Sequence, residues 1–360
     1  MSTSTDTEPG RRRTRVRRRR ALVSVVVLLL VLVAVVAGGA FLVGKVFGGA
    51  ADWSGEGTGS VTVTVEPGDT ATQIGATLAD AGVVASTEAF VSAARADDRS
   101  LGIQPGSYDM REHMSAQAAL DRLLDPSARI QTSVTIPEGL RLGQVVDRLV
   151  EETGLPRADF DKALKQPQRL GLPPYADGDA EGFLFPATYT FDPGTSALQI
   201  LRTMVQRFDQ AARDVDLVRQ ARAVNLSPRQ AVIVASLVQA EVAERDFGKA
   251  ARVVYNRLNQ DMPLQFDSTV NYALGSDDLT LDSDQLSVDS PYNTYTHTGL
   301  PPGPINSPGE AALRAALNPP AGDWVYFIAT APGSDVTRFT ADYNQFLQWK
   351  DEFYAAVNGG

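Results

Sequence analysis

The hydrophobic pattern changes character several times along the chain. Residues 21–44 (ALVSVVVLLLVLVAVVAGGAFLVG) hold 24 positions without a charged side chain. As a helix they span about 36 Å, enough for a hydrocarbon core of about 30 Å. An alternating VTVTV from Val61 predicts a half-buried strand. A longer pattern then repeats: VEPGDTATQIGATLADAGVV from Val65 returns 71 residues later as IPEGLRLGQVVDRLVEETGL from Ile136. Gly68 matches Gly139, Gln73 matches Gln144, Ile74 matches Val145 and Leu78 matches Leu149. Each copy predicts a strand, a glycine turn and an amphipathic helix. Between them QPGSYDM (residues 104–110) predicts a turn entering another strand. Residues 151–180, rich in proline, glycine and aspartate, predict a loop-laden connection. EGFLFPATYTFDPGTS (residues 181–196) predicts either a core-forming strand pair or an aromatic shelf at the mouth of a cleft. The best-signalled helix starts at Ser227-Pro228, with Ser227 at the N-cap and Pro228 in the first turn. It runs through RQAVIVASLVQAEVAERD, apolar on nearly every face as far as Val238, which predicts burial.

Charge orients this pattern. Residues 1–20 carry eight arginines against Asp6 and Glu8, a net +6, so the formal −10 of the whole chain leaves −16 on residues 21–360. Arginines before the apolar run and only Lys45 just after it place the N-terminus in the cytoplasm and the rest outside. The run is longer than the 7–15 apolar residues of a cleavable signal, so an anchor is expected. The acidic body has no phosphate-tracking surface, and nucleic acid is not an expected partner. No residue is cysteine and two are histidine, His113 and His297, which excludes disulfides, thiol chemistry and multi-histidine metal centres. The expected organisation is a cytoplasmic tail (1–20), a transmembrane helix (21–43), a flexible tether (44–60), a membrane-proximal module (61–130), a second related module with its connector (131–224) and a catalytic domain (225–360). The strand–turn–helix repeats are similar to LysM domains, which grip glycan chains; a spacer role is equally open.

The chemistry should lie near the end of the buried helix. Glu241 shares a face with Leu237 and Val238, so desolvation should raise its pKa, as a general acid for glycosidic cleavage requires. On spacing alone it is equally the point where the helix emerges into solvent, with Glu244, Arg245 and Asp246 continuing it. Downstream, LQFDSTVNYALG (residues 264–275) sets Gln265, Asp267, Thr269 and Asn271 around single apolar positions, in the manner of binding loops. DSPYNTYTHTGLPPGPINSPG (residues 289–309) is a long proline- and tyrosine-containing stretch that reads as a substrate-lining loop. His297 lies in it, as a hydrogen-bonded loop residue or a catalyst; no GxSxG motif supports a triad.

The ordered stretches ASLVQAEVAERDFGKAARVVYNRL, LQFDSTVNYALG and YNTYTHTGLPPGPINSPG resemble the YceG-like (MltG) endolytic murein transglycosylases, with EGFLFPATYTF and the two repeats matching upstream. The resemblance covers about residues 60–350 and implies an α+β protein: one N-terminal transmembrane helix, LysM-like small α/β modules, then a mixed α+β catalytic domain. It implies cleavage of the N-acetylmuramic acid–N-acetylglucosamine β-1,4 bond to a 1,6-anhydro end, at the plasma membrane, without metal or cofactor. Peptidoglycan strands are the implied substrate, and penicillin-binding proteins or other cell-wall synthases the implied partners. Glu241 falls on the catalytic glutamate of the family motif ASIVEKE, and Gln239 stands where that motif has its first glutamate. The C-terminal FTADYNQF lacks the histidine of the family's TYxEHN-like segment. Gln265, Asp267, Thr269, Tyr292, Asn293 and Tyr295 are the candidate sugar-positioning residues. Two other outcomes stay open: a hydrolytic muramidase using Asp267 or Glu244 as second carboxylate, and an inactive glycan-binding scaffold.

Overall fold

The computed structural model describes Val31, Val33 and residues 50–358 apart from Leu279 and Pro332. The arginine tail and, save those two valines, the apolar run 21–44 lie outside the described residues. Among the described residues no helix is long and apolar enough to cross a membrane. The chain divides into two compact units, residues 1–130 and 131–360. The fold is mixed α+β, and its described strands form three two-stranded antiparallel sheets.

The first unit runs β1 (Glu56–Val65), α1 (Ala71–Asp80), α2 (Thr87–Ala96), β2 (Gly106–Met114) and α3 (Ala116–Leu124). Strand β1 lies antiparallel to β2 with Val63 opposite Tyr108 and Val65 opposite Gly106. Its alternation sends Val63 and Val65 inward against Ile74, Leu78, Phe90, Tyr108 and Met110, and leaves Thr62 and Thr64 in water. The expected tether is shorter than its composition suggested, because residues 56–60 already belong to β1. The chain before them is tied down as well. Ser86 donates to the Ala51 carbonyl (2.8 Å), the Asp52 carboxylate accepts from the first-turn amide of Ala116 (2.9 Å), and Trp53 meets His113 edge-on at 4.3 Å. Two hydrogen bonds and one ring contact thus hold residues 51–53, which read as linker.

The second unit opens with the same order of elements and one added turn, α6: β3 (Thr132–Thr135), α4 (Leu142–Thr153), α5 (Arg157–Leu164), α6 (Pro167–Leu170), β4 (Thr188–Phe191) and α7 (Ala197–Asp214). The repeated glutamine has a physical reason. Gln73 and Gln144 each sit at the third position of a helix and accept from the N-cap amide, that of Thr70 and that of Arg141, both at 2.9 Å. Gly68 and Gly139 turn the chain with φ of +91° and +80°, where a Cβ would be strained. The connection 151–180 is more helical than its composition predicted, because Pro156 and Pro167 start α5 and α6 rather than break them. Residues 181–196 contribute one strand, not a pair. Thr188–Phe191 pairs with β3, while Phe183, Leu184 and Phe185 are buried in a turn and form no shelf.

The rest of this unit packs around one helix. After α8 (Leu217–Ala223), α9 (Pro228–Glu241) is buried at every position from Ala231 to Val238. Its start is fixed by a capping box between Ser227 and Gln230 and by Pro228 in the first turn. Around it lie α10 (Phe247–Asn259), α11 (Asp267–Leu274) and α13 (Glu310–Leu317), and the single turn α12 (Ser283–Leu286) follows α11. The hairpin β5 (Tyr326–Ala329) and β6 (Thr337–Thr340) leads to α14 (Tyr343–Asn358). Residues 289–309 form no helix or strand, as expected. Asp267–Leu274, read as binding loop, is helix: its turn-favouring polar residues stand in the first turn, and Gly275 closes it in the left-handed conformation.

Candidate active site

Glu241 ends α9, and the chain turns extended at Val242. Its carboxylate accepts a hydrogen bond from the Ser268 hydroxyl, in the first turn of α11. The end of a buried helix is a poor place for charge. Desolvation pushes the Glu241 carboxyl up to about 7, the Asp267 charge adds to the rise, and Ser268 and the Arg257 guanidinium oppose it. Asp267 accepts from the Tyr295 hydroxyl at 2.6 Å. Arg257, buried on α10, donates to the carbonyls of Val325 (2.7 Å) and Leu264, and its guanidinium stands 5.6 Å from the Tyr326 ring. One carboxyl poised to be protonated near neutrality, a hydroxyl that orients it, and a carboxylate–phenol pair thus converge from α9, α11 and the loop 289–309. Such a group can donate a proton and, once ionised, take one back.

The six sugar-positioning candidates separate into two sets. Asp267 and Tyr295 belong to the Glu241 cluster. Gln265, exposed beside it, holds a φ of +53°, and its amide donates to the Thr294 carbonyl at 3.1 Å. Thr269 and Asn293, by contrast, are sealed in the interior and cannot face a substrate. Thr269 bonds the Phe266 carbonyl (2.7 Å) and the Thr294 hydroxyl (2.9 Å), pinning α11 to the loop. Asn293 donates to the carbonyls of Leu286 and Val288 and accepts from the Tyr295 amide at 2.9 Å, which holds Tyr295 in place. Tyr292 packs on Tyr272, ring centres 4.7 Å apart, in a second polar cluster. There Glu181, 5% exposed, accepts from the Leu142 amide that begins α4 (3.0 Å) and from the Tyr272 hydroxyl (3.2 Å). Burial raises its carboxyl to about 7. Of the other side chains weighed, Glu244 and His297 are exposed, and the loop amide of His297 donates to the Asn293 carbonyl. Ser268 and Arg257 escaped sequence reasoning, since neither stands at a spacing that marks it.

The loop 289–309 is wired to α9 just before Glu241. Ser236 accepts from the Ile305 amide (3.2 Å), and its carbonyl accepts from the Asn306 side chain (2.9 Å). Gln239 accepts from the Gly309 amide at 3.0 Å and hydrogen-bonds the Glu138 carboxylate, so that residue fastens the loop end to the second glycine turn. Gly182 (φ +81°) permits the loop to close: a Cβ there would lie 2.5 Å from Pro304.

Comparison with known proteins points one way. The YceG-like family profile matches residues 63–352. The chain is 32% identical over 341 residues to the endolytic murein transglycosylase of Bacillus subtilis (strain 168), covering 90% of this chain and 92% of that protein. It is 30% identical over 308 residues to that of Streptococcus pneumoniae (strain R6), covering 75% of this chain and 54%, about half, of the pneumococcal protein. A YceG-like protein of Listeria monocytogenes, known from a 2.6 Å crystal structure, is similar with a TM-score of 0.55 at 28% identity, over 80% of this chain and 98% of that one.

Proposed function

The chain belongs to the YceG-like family, and from that premise we propose that it is an endolytic murein transglycosylase with Glu241 as its single acid–base residue. The Glu241 carboxyl protonates the oxygen linking N-acetylmuramic acid to N-acetylglucosamine, and the bond from muramyl C1 to that oxygen breaks. The muramyl C6 hydroxyl attacks C1 and yields its proton to the Glu241 carboxylate, leaving a 1,6-anhydro end and a regenerated acid. One carboxyl suffices, where hydrolytic glycosidases ordinarily use two. The observation that carries this reading is a carboxyl raised to about 7 by burial, held by Ser268 at the end of the core helix. Asp267 and Tyr295 border the reacting bond, and Gln265 lies within the same surface.

The wider assignment rests on the sequence. Residues 21–43 anchor the chain in the plasma membrane with residues 48–360 outside, and the repeats grip glycan in the manner of LysM modules. A cell-wall synthase of the penicillin-binding class is the natural source of the strand. Asp267, close enough for its charge to act on Glu241, is what favours a hydrolytic muramidase as the second reading. Mass spectrometry of glycan products decides between them, because anhydro ends arise from the lytic route alone. Glu241→Gln is nearly isosteric and should cut anhydro-end release at least about 10²–10⁴-fold while the melting transition persists. Comparable release by the variant would reject Glu241 as the acid, and loss of folding would make it a structural carboxyl.

A further inference from the structure

The hairpin β5–β6 and helix α14 take no part in the proton transfers above, yet they carry aromatic surface that packing does not consume. Among the described residues the two most exposed aromatic side chains are Tyr343, 54%, and Tyr354, 47%, and both stand on α14. With Leu347, also exposed, they fall at i, i+4 and i+11, on one side of the helix and over about 16 Å of its length. Beneath this stripe Tyr326 of β5 lies 5.4 Å from the Tyr343 ring and 5.2 Å from Phe346, the latter pair tilted by only 21°. Lys350 stands 5.8 Å from the Tyr354 ring, so Tyr343 offers the more open face.

This surface joins the site of cleavage at two points. Arg257, whose charge is felt at Glu241, also faces the Tyr326 ring at 5.6 Å. Tyr354 lies near enough to act electrostatically on Tyr295, the phenol bonded to Asp267. An enzyme that cuts within a strand must hold sugar rings on both sides of the bond. A pyranose ring presents C–H groups on its face and hydroxyls at its rim. Tyrosine is the matching side chain, a π-face with a polar edge.

We propose that Tyr343, backed by Tyr326 and Phe346, is a glycan subsite that stacks a pyranose ring of the strand beside the bond broken at Glu241. This rests on the reading of the chain as a glycan-cleaving enzyme. The test separates the two by measuring binding without cleavage. In the full chain carrying Glu241→Gln, uncross-linked glycan strands purified from peptidoglycan are titrated calorimetrically. Tyr343→Ala should weaken binding about tenfold, the effect of losing one well-placed aromatic contact. Tyr343→Trp should restore it to within about threefold, and Tyr343→Leu should behave like alanine, because the ring face and not apolar bulk is what the sugar uses. Unchanged affinity in Tyr343→Ala, or full rescue by leucine, overturns the subsite. A changed sedimentation coefficient with unchanged glycan affinity gives the face to a second copy of the chain. Anhydro ends released by the chain with native Glu241 are scored separately. Their absence, with Tyr343-dependent binding intact, defeats the lytic reading and leaves the subsite standing; their presence, with Tyr343-independent binding, defeats the subsite alone.

Discussion

At the scale of single residues, two positions near the end of α9 can be tested through pH, Glu241 as it stands and Gln239 when it is made acidic. Glu241 must be protonated to act as the acid, and its carboxyl titrates at about 7. The rate of anhydro-end release per unit of enzyme and substrate should therefore hold at lower pH and fall above about 7, roughly tenfold per unit well past the midpoint. A flat profile from pH 6 to 9 would deny Glu241 that role. Gln239 is the other position. Its amide satisfies the Gly309 N–H and the Glu138 carboxylate together, which a carboxylate in its place does not do. Gln239→Glu sets two carboxyls side by side, and each should titrate higher in the folded chain than in the unfolded one. A raised native pKa means stability intact at low pH and lost as pH rises through it. The variant should match the parent near pH 4 and fall behind it by about 1 kcal/mol near pH 8, a modest figure because Glu138 is exposed. Cleavage below pH 7 should stay within about tenfold of the parent. Thermal unfolding at the two pH values measures the difference, and parallel curves would refute the like-charge contact.

At the scale of elements, the catalytic geometry depends on how the loop 289–309 is fastened to α9. Ser236→Ala leaves the buried Ile305 amide without its acceptor and should cost about 1–3 kcal/mol. That corresponds to a melting temperature lower by roughly 3–9 °C for a unit of this size. Limited proteolysis should cut the loop first, and an unshifted transition would show that the loop is held by other means. Which elements could be read from the chain follows from where their causes lie. Helix α9 was legible because its cap, its first-turn proline and its apolar run are all local. The glycine turns and the glutamines Gln73 and Gln144 were legible because each copy repeats the same local device. Helix α11 was not: Asp267, Ser268 and Thr269 favour turns, and it is the buried Thr269–Thr294 bond that holds them against the loop 289–309. Thr269 and Asn293 were misread for a related reason. A polar residue among apolar ones looks the same whether it waits for a ligand or wires two segments together, and burial alone tells them apart. Ser268, which touches Glu241 from 27 positions away, leaves no periodic trace in the sequence.

At the scale of the whole molecule, the fixed stretch just before β1 has a consequence for geography. The chain is pinned at Ala51 by Ser86 and at Asp52 by the cap of α3. On the proposal that residues 21–43 lie in the bilayer, seven residues, 44–50, separate the membrane from this pin, and seven residues at full extension reach about 25 Å. On that proposal residues 51–130 are a boat on a short mooring, able to swing but not to sail, and should meet wall material while it is still being laid down. Age of the strand, rather than its sequence of sugars, becomes the basis of selection. Inserting 40 glycine- and serine-rich residues after Gly49 should add about 35 Å of typical reach. In a pulse–chase of labelled peptidoglycan, anhydro ends should then appear in older material as well as new. An age profile identical to that of the parent would mean that something other than the mooring decides where the wall is cut.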